Sequence, residues 1–179
     1  MKFKIHILFI LLTISSCKYS HDYKSLEKKI NTYLKSSEGE FAVVYKNLSD
    51  GKTILINENE EFHAASTMKT PVMIEVFRNV HEGVISLDDS ILVKNEFKSI
   101  ADGSYFSLSS FEDSDKKIYE EIGNFLPLRE LVIDMITLSS NFATNLVIDY
   151  IGSEDINSTM RGLGANKINV IRGVEDIKA

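Results

Sequence analysis

The sequence predicts an α/β protein of the α+β type, in which a β-hairpin near the N-terminus precedes a largely helical region. Three patterns support this prediction: two β-rich runs around an Asp-Gly turn, a nearly uniformly apolar helix over 67–80, and helical spacing of apolar residues over 126–151. The 179 residues, 44% hydrophobic and 26% charged, fit one globular domain with a sizeable core. A disordered tail, a collagen-like rod and a disulfide-stapled miniprotein are excluded.

The first sixteen residues have the pattern of an export signal. Lys2 and Lys4 precede a nearly unbroken apolar run over 5–14, which is too short to span a bilayer as a permanent anchor. Small residues then precede Cys17, the only cysteine, as in a bacterial lipoprotein signal. We expect a signal peptide over 1–16, a lipid on Cys17, and an exported, periplasmic protein that is anchored to the membrane. A plain secretory signal and a buried first strand remain open alternatives.

Two elements are predicted before the apolar helix. A short amphipathic helix is expected within 19–37, where leucine or isoleucine recurs every four residues. A β-hairpin is expected over 40–48 and 52–56, where the sequences EFAVVYKNL and KTILI flank Asp50-Gly51. Glycine in such a turn tolerates a positive φ.

The mature chain, 17–179, is predicted to contain no domain boundary. After the hairpin it is expected to alternate helices and loops. The expected elements are a helix over 67–80, a loop with short strands over 91–115, two helices within 126–151, a helix over 155–163 and an extended piece over 168–171. The first helix is apolar on nearly all sides, which indicates a buried helix. The polar residues Ser139, Ser140 and Asn141 break the pattern between the paired helices.

Charge and residue spacing narrow the classes of partner. The formal net charge is −6, and an acidic chain lacks the clustered positive surface that binds phosphates, so we expect no nucleic acid partner. The four histidines have neither the spacing of a zinc-binding helix nor a cysteine partner. No metal site is therefore expected, and no phosphate-binding glycine loop is present in the sequence.

Ser66 and Lys69 are the first candidate catalytic residues. Three residues apart in a helix, they would lie on one face, where the lysine amine can take the serine proton. The spacing recurs elsewhere in the chain, but only Ser66 lies where the hairpin leads into an apolar helix. Apolar surroundings would lower the pKa of Lys69 and favour the neutral base. The alternative is that Ser66 or Thr67 only caps the helix and that Lys69 extends to water.

The break at 139–141 is the second candidate. Its serine hydroxyl could pass a proton to a leaving nitrogen, and the Asn141 carboxamide could hold a substrate carbonyl. The alternative is that these residues only punctuate two helices, since Ser and Asn are favoured caps.

Taken together, these features resemble a known enzyme family. The leader, the sequence FHAASTMK over 62–69 and the sequence MITLSSNFATNL over 135–146 are similar to the class A serine β-lactamases and their penicillin-binding relatives. The resemblance implies an antiparallel sheet with flanking helices plus an all-helical subdomain, with the active site between them. Of the sheet, only the N-terminal hairpin would be present here. The resemblance implies no cofactor.

The resemblance also implies roles for individual residues. Ser66 matches the acylated nucleophile, Lys69 the proton acceptor, Ser139 the proton-relaying serine and Asn141 the substrate-contacting amide. Glu175, in the sequence RGVED, is the nearest candidate for the base that activates the deacylating water. A loop carboxylate in an exposed salt bridge is the alternative interpretation of Glu175.

The sequence departs from the family pattern in two places. Ser140 stands where the second family motif usually has Asp, a buried carboxylate that braces the loop. No Lys-Thr-Gly sequence follows before Ala179, so the sequence reads as the N-terminal portion of a larger enzyme. We expect residues 17–179 alone to show no steady turnover of a β-lactam and to aggregate, because a lone hairpin leaves a sheet edge unpaired.

The function predicted from the sequence is hydrolysis of β-lactam antibiotics through an acyl-enzyme on Ser66, by an enzyme that is a monomer when complete. One alternative is a related acyl-serine enzyme, a peptidoglycan DD-peptidase or an esterase, that releases penicillin slowly. A second alternative, from another class, is a non-catalytic lipoprotein domain that binds a partner.

Overall fold

A helix and a β-hairpin form the first described part of the chain. The computed structural model describes residues 22–170 and 173–178, and the chain divides after residue 62 into two units. The elements of the first unit are α1 (Tyr23–Lys35), β1 (Val43–Lys46) and β2 (Thr53–Ile56). The expected signal peptide and the lipid on Cys17 lie outside the described residues.

The hairpin follows the prediction from its turn sequence. Strands β1 and β2 pair antiparallel, with Val43 opposite Ile56. Gly51 has a φ of 72°, a left-handed conformation that glycine adopts without strain. In β2, Ile54 and Ile56 are buried while the alternate residues are exposed, the period-2 pattern of a strand with one covered face. The predictions of the hairpin and of the preceding helix are confirmed.

The second unit contains mainly helices and short antiparallel strand pairs. Its elements are a 3₁₀ turn (Ala65–Met68), α2 (Lys69–His81), β3 (Ser90–Leu92), β4 (Phe97–Lys98), β5 (Tyr105–Phe106), a 3₁₀ turn (Lys117–Glu121), β6 (Phe125–Pro127), α3 (Leu128–Ile133), a π-helical turn (Asp134–Leu138), α4 (Asn141–Ile151) and α5 (Ser153–Gly162). Strand β3 pairs with β6, and β4 pairs with β5. This mixture confirms the α+β class and the short strands expected over 91–115.

Helix α4 forms the centre of the core of the second unit. Its residues from Phe142 to Ile148 are all buried, because the sequence FATNLVI is apolar on nearly every side. Helices α2, α3 and α5 pack against it. The prediction that α2 is a buried helix holds for only part of its surface: Val72 and Val76 are fully buried, whereas Thr70 and Phe77 are exposed.

The predicted break between two helices within 126–151 is confirmed. Helix α3 passes into the π-helical turn, Ser139 takes a left-handed φ of 57°, and α4 begins two residues later. A non-glycine residue pays about 1–2 kcal/mol for this conformation, so surrounding contacts must hold it.

The C-terminal predictions have mixed outcomes. Helix α5 is confirmed, and Gly164 follows it with a φ of 84°. Residues 168–170 are not part of a paired strand, and residue 171 lies outside the described residues, so the extended piece expected over 168–171 stays a prediction. Within the described residues, no helix has the length and apolar character needed to cross a membrane.

Candidate functional site

Ser66 lies in the tight 3₁₀ turn before α2, rather than in the α-helix itself. The turn is closed by Thr67, whose amide and hydroxyl donate to the Ala64 carbonyl at 3.0 and 2.5 Å. Ala65 has a left-handed φ of 45°. The α-helix begins at Lys69 rather than at residue 67 as expected. No side chain caps it, so the alternative in which Ser66 or Thr67 only caps the helix is wrong. The serine is exposed and leaves the turn toward the break at 139–141.

Lys69 is buried among oxygen atoms. Its side chain is 3% exposed, so it does not extend to water. The Lys69 Nζ lies 3.4 Å from Ser66 Oγ, 2.9 Å from Ser139 Oγ and 2.6 Å from the Ser139 carbonyl oxygen. It also lies 2.9 Å from Asn141 Oδ1. The apolar surroundings expected from the sequence are thus replaced by a polar cradle, which orients the amine toward both hydroxyls.

The two serine hydroxyls contact each other beside the amine. Ser66 Oγ and Ser139 Oγ are 2.8 Å apart, and either can donate. A proton can therefore move between Ser66, Lys69 and Ser139 without any large movement of a side chain.

Opposing effects set the pKa of Lys69. Burial lowers this pKa from its ordinary value, because desolvation disfavours the ammonium. The carboxylates of Asp113 and Glu175 act in the opposite direction and favour the charged form, but the net shift is downward. The lowered pKa increases the fraction of neutral amine available as a base near neutral pH.

The residues of the break at 139–141 have different roles: one caps the helix, and the other two contribute to the candidate site. Ser140 is the helix cap: it is fully buried, and its Oγ accepts the Ala143 amide at 3.1 Å. Ser139 and Asn141, on either side of it, both contact Lys69. Ser140 therefore caps the helix, while its neighbours Ser139 and Asn141 form part of the candidate site.

Glu175 contacts the candidate site through a hydrogen bond with Asn141. The Asn141 Nδ2 donates to Glu175 Oε1 at 2.8 Å, while the other end of the same amide faces Lys69. Glu175 is partly buried and has a left-handed φ of 66°. The structure thus brings together five residues singled out in the sequence, Ser66, Lys69, Ser139, Asn141 and Glu175, and the sixth, Cys17, lies outside the described residues.

The segment carrying Glu175 is fixed to α4 by a side-chain amide. The Asn145 carboxamide accepts the Val174 amide at 2.6 Å and donates to the Val174 carbonyl at 2.9 Å. A Cβ added to Gly173 would lie 2.9 Å from Asn145 Oδ1, so a larger residue at this position would have to displace the Asn145 side chain.

A second attachment ties the same segment to the region around β4. The buried carboxylate of Asp176 accepts the Ser99 hydroxyl at 2.8 Å and the Ile100 amide at 3.1 Å. Farther out, Lys178 Nζ lies 3.1 Å from the Asp102 carboxylate. These contacts hold the backbone on both sides of Glu175.

Sequence reasoning missed Asp113, Asn145 and Asp176. The Asp113 carboxylate accepts the amides of Asn141 and Phe142, at 3.2 and 2.8 Å. It lies in a Ser- and Asp-rich loop with no period, and its partners are 28 and 29 residues away. No local pattern could have identified it. Within the described residues, no group of three His, Cys, Asp or Glu side chains could hold a metal ion.

Comparisons with known proteins give consistent results. Residues 25–179 match the model of a family described as the beta-lactamase enzyme family. A β-lactamase from Proteus vulgaris is 24% identical over 148 residues, covering 83% of this chain and 45% of the relative. The solved structure of a β-lactamase from Xanthomonas campestris pv. campestris matches with a TM-score of 0.70 and 21% identity, covering 87% of this chain and 53% of that chain.

A solved mutant of PBP-A, an acyl-enzyme complex with penicillin G, matches with a TM-score of 0.68 and 23% identity, covering 87% of this chain and 55% of that one. The chain therefore spans about half the length of the relatives it matches. These likenesses establish the fold.

Proposed function

Since the chain belongs to the β-lactamase enzyme family, we propose that the complete protein is a serine hydrolase that opens β-lactam rings through an acyl-enzyme on Ser66. One observation carries this proposal: the buried Lys69 amine lies within hydrogen-bonding distance of both the Ser66 and Ser139 hydroxyls, which also contact each other. A nucleophile, a base and a proton relay are thereby assembled in one place.

In the proposed acylation, neutral Lys69 takes the Ser66 proton as Oγ attacks the β-lactam carbonyl carbon. A tetrahedral oxyanion forms and collapses, the C–N bond breaks, and Ser66 is left as an ester. Ser139 gives its proton to the departing nitrogen and is reprotonated by the Lys69 ammonium, so Lys69 ends the step neutral again. The lowered pKa of Lys69 supports this sequence, because the amine must be uncharged at its start.

In the proposed deacylation, Glu175 removes a proton from the water that attacks the ester carbonyl. The tetrahedral intermediate then collapses with cleavage of the ester C–Oγ bond. The proton held by Glu175 passes to Ser66 Oγ, which restores the serine hydroxyl and the Glu175 carboxylate as the opened ring leaves. Support comes from the Asn141 carboxamide, which contacts Lys69 at one end and Glu175 at the other and so links this carboxylate to the amine that contacts Ser66. A carboxylate held in this way can act on a water near the acyl group.

A second candidate is an acyl-serine enzyme that acts on peptidoglycan peptides and is acylated by penicillin without rapid release. The likeness to PBP-A, whose mutant was solved as an acyl-enzyme with penicillin G, favours keeping this candidate. The two candidates share acylation of Ser66 and differ in the rate of deacylation.

The test uses the complete protein as its coding sequence defines it. The protein is mixed with benzylpenicillin, and intact mass is followed over time beside the same experiment with Ser66→Ala. We expect a covalent adduct on the wild-type protein and none on the variant. Rapid decay of the adduct with multiple turnovers supports the β-lactamase, and a persistent adduct supports the second candidate. An adduct that survives Ser66→Ala, or no adduct on the wild type, would contradict the proposal.

We also propose that the protein is exported and anchored through a lipid on Cys17, on the strength of the leader sequence alone. In a bacterial host, the wild-type protein should fractionate with membranes and begin at a lipid-modified Cys17. Cys17→Ser should move it to the soluble periplasmic fraction. An unmodified N-terminus in the intact mass, or unchanged membrane association of the variant, would contradict this proposal.

A further inference from the structure

The first turn of α4 depends on a carboxylate from a distant loop. The first amides of a helix have no partner within the helix. The cap residue Ser140 accepts the Ala143 amide. The two amides before it, of Asn141 and Phe142, donate instead to Oδ1 and Oδ2 of Asp113. One side chain thus serves both remaining amides next to the break.

Asp113 is itself fully engaged. The carboxylate is 4% exposed; its Oδ1 also accepts the Asp115 amide at 3.1 Å, and its Oδ2 accepts the Tyr119 hydroxyl at 3.1 Å. The Tyr119 ring lies 4.7 Å from the Phe142 ring, centroid to centroid. The same residues therefore join the 113–119 loop to α4 by hydrogen bonds and by ring packing.

We propose that Asp113 is a positioning residue of the acyl-transfer site: its carboxylate holds the start of α4, and through it keeps Ser139 and Asn141 directed at Lys69. Ser139 has a left-handed backbone that needs external support, and the two amides held by Asp113 follow it almost immediately. The inference rests on the proposed function, because the orientation of these side chains matters to catalysis only if Ser66 is acylated.

An electrostatic effect separates this role from mere stabilisation of the fold. The Asp113 carboxylate raises the pKa of Lys69 against the larger effect of burial, and Glu175 is the other carboxylate acting in the same direction. The remaining side chains that contact Lys69, those of Ser66, Ser139 and Asn141, are neutral. Tyr119, which faces Asp113, has its pKa raised by burial and by that carboxylate, so it is a neutral donor near pH 7.

The test compares Asp113→Asn with a matched control in the complete protein. Asp115→Asn removes a carboxylate that is equally buried in the same loop, accepts the Lys117 amide, and is absent from the groups that shift the pKa of Lys69. For each protein, the rate of acylation by benzylpenicillin is measured as a function of pH. Hydrogen exchange of the peptide over 139–146 is measured by mass spectrometry.

We expect Asp113→Asn to slow acylation about 10- to 100-fold, because small misplacements of catalytic groups cost this much. The acidic limb of its pH profile should move to lower pH, since loss of the carboxylate lowers the pKa of Lys69. Amides at the start of α4 should exchange faster. Asp115→Asn should leave the pH profile and this exchange unchanged.

A rescue variant covers the case in which Asp113→Asn does not fold. Asp113→Ser combined with Ser140→Asp returns a carboxylate to the same helix end, where Asp is also a favoured cap. We expect it to recover at least about tenfold in acylation rate over Asp113→Ser alone.

Three results are distinguishable. A wild-type protein that is never acylated overturns the proposed function itself. An acylated wild type together with an Asp113→Asn variant of unchanged rate and pH profile overturns the positioning role, even if the variant is less stable. A folded double variant with no recovery over Asp113→Ser also counts against that role.

Discussion

The two parts of the candidate site are held in different ways. The acylation part is defined by the residues proposed to acylate, Ser66, Lys69 and Ser139. They lie at or next to the ends of helices, and the amine is buried. The hydrolysis part is defined by Glu175, the proposed base of deacylation. It lies on the irregular segment 173–178, which is attached through side chains. Segments without regular backbone pairing open more readily than packed helices. Substitutions in the segment should therefore change deacylation while sparing acylation.

The largest effect is expected in the acylation part. In the complete protein, Lys69→Ala should slow acylation by benzylpenicillin about 100- to 10,000-fold, the usual contribution of a general base. Lys178→Ala, which removes an exposed lysine from the segment of the hydrolysis part, is the control and should acylate at the wild-type rate. Stopped-flow kinetics measure both. Equal acylation rates for Lys69→Ala and Lys178→Ala would contradict the assignment of acylation to the part that contains Lys69.

The next largest effect tests Glu175. Glu175→Gln keeps the size of the side chain and an acceptor for Asn141, but it cannot take a proton from water. Deacylation should slow about 100- to 10,000-fold while acylation changes much less, so the penicilloyl adduct accumulates. Intact mass during turnover gives the adduct fraction. Unchanged turnover would show that another group activates the water.

Gly173→Ala tests whether the attachment to α4 controls the hydrolysis part. Its new Cβ must displace the Asn145 side chain, which loses bonds to Val174 worth about 0.5–1.5 kcal/mol each. We expect deacylation to slow about tenfold, with acylation unchanged. Gly162→Ala, where the added Cβ meets nothing within 4 Å, is the matched control. Equal slowing of both steps would mean that the segment also supports the acylation part.

The smallest effect concerns the outer attachment of the segment. Bonds from Ser104, and then Lys178, lower the pKa of Asp102 to about 2 from its ordinary value of 3.8. A lowered pKa stabilises the folded state above about pH 4, and this contribution is lost as the pH falls toward 2.

Lys178→Ala should raise the Asp102 pKa only partway toward 3.8, because the bonds from Ser104 remain. NMR titration of the carboxyl groups measures this change, with Asp89 as an internal reference whose partners are Ser86 and Tyr150. Deacylation should stay within about twofold, since exposed ion pairs contribute little. A tenfold change in deacylation would mean that the outer attachment also positions Glu175.

Local sequence determined most of the secondary structure of this protein. Asp50-Gly51 between alternating β-rich runs was enough for the hairpin, because a turn and a period of two are properties of neighbouring residues. The same holds for the helices on either side of the break, whose apolar residues recur with helical spacing. The identities of Ser66, Lys69, Ser139, Asn141 and Glu175 as candidates also came from motifs in the sequence.

Tertiary structure alone decided how those candidates are supported. Asp113 reaches the start of α4 across 28 residues, and Asn145 reaches Val174 across 29. The polar cradle of Lys69 likewise comes from residues 70 and 72 positions later. Periodicity and turn chemistry describe residues within a few positions of each other, whereas these contacts exist only after packing around α4 brings distant segments together. The sequence thus identified the candidate catalytic residues, whereas only the tertiary structure identified the Asp113 carboxylate and the Asn145 amide that support them.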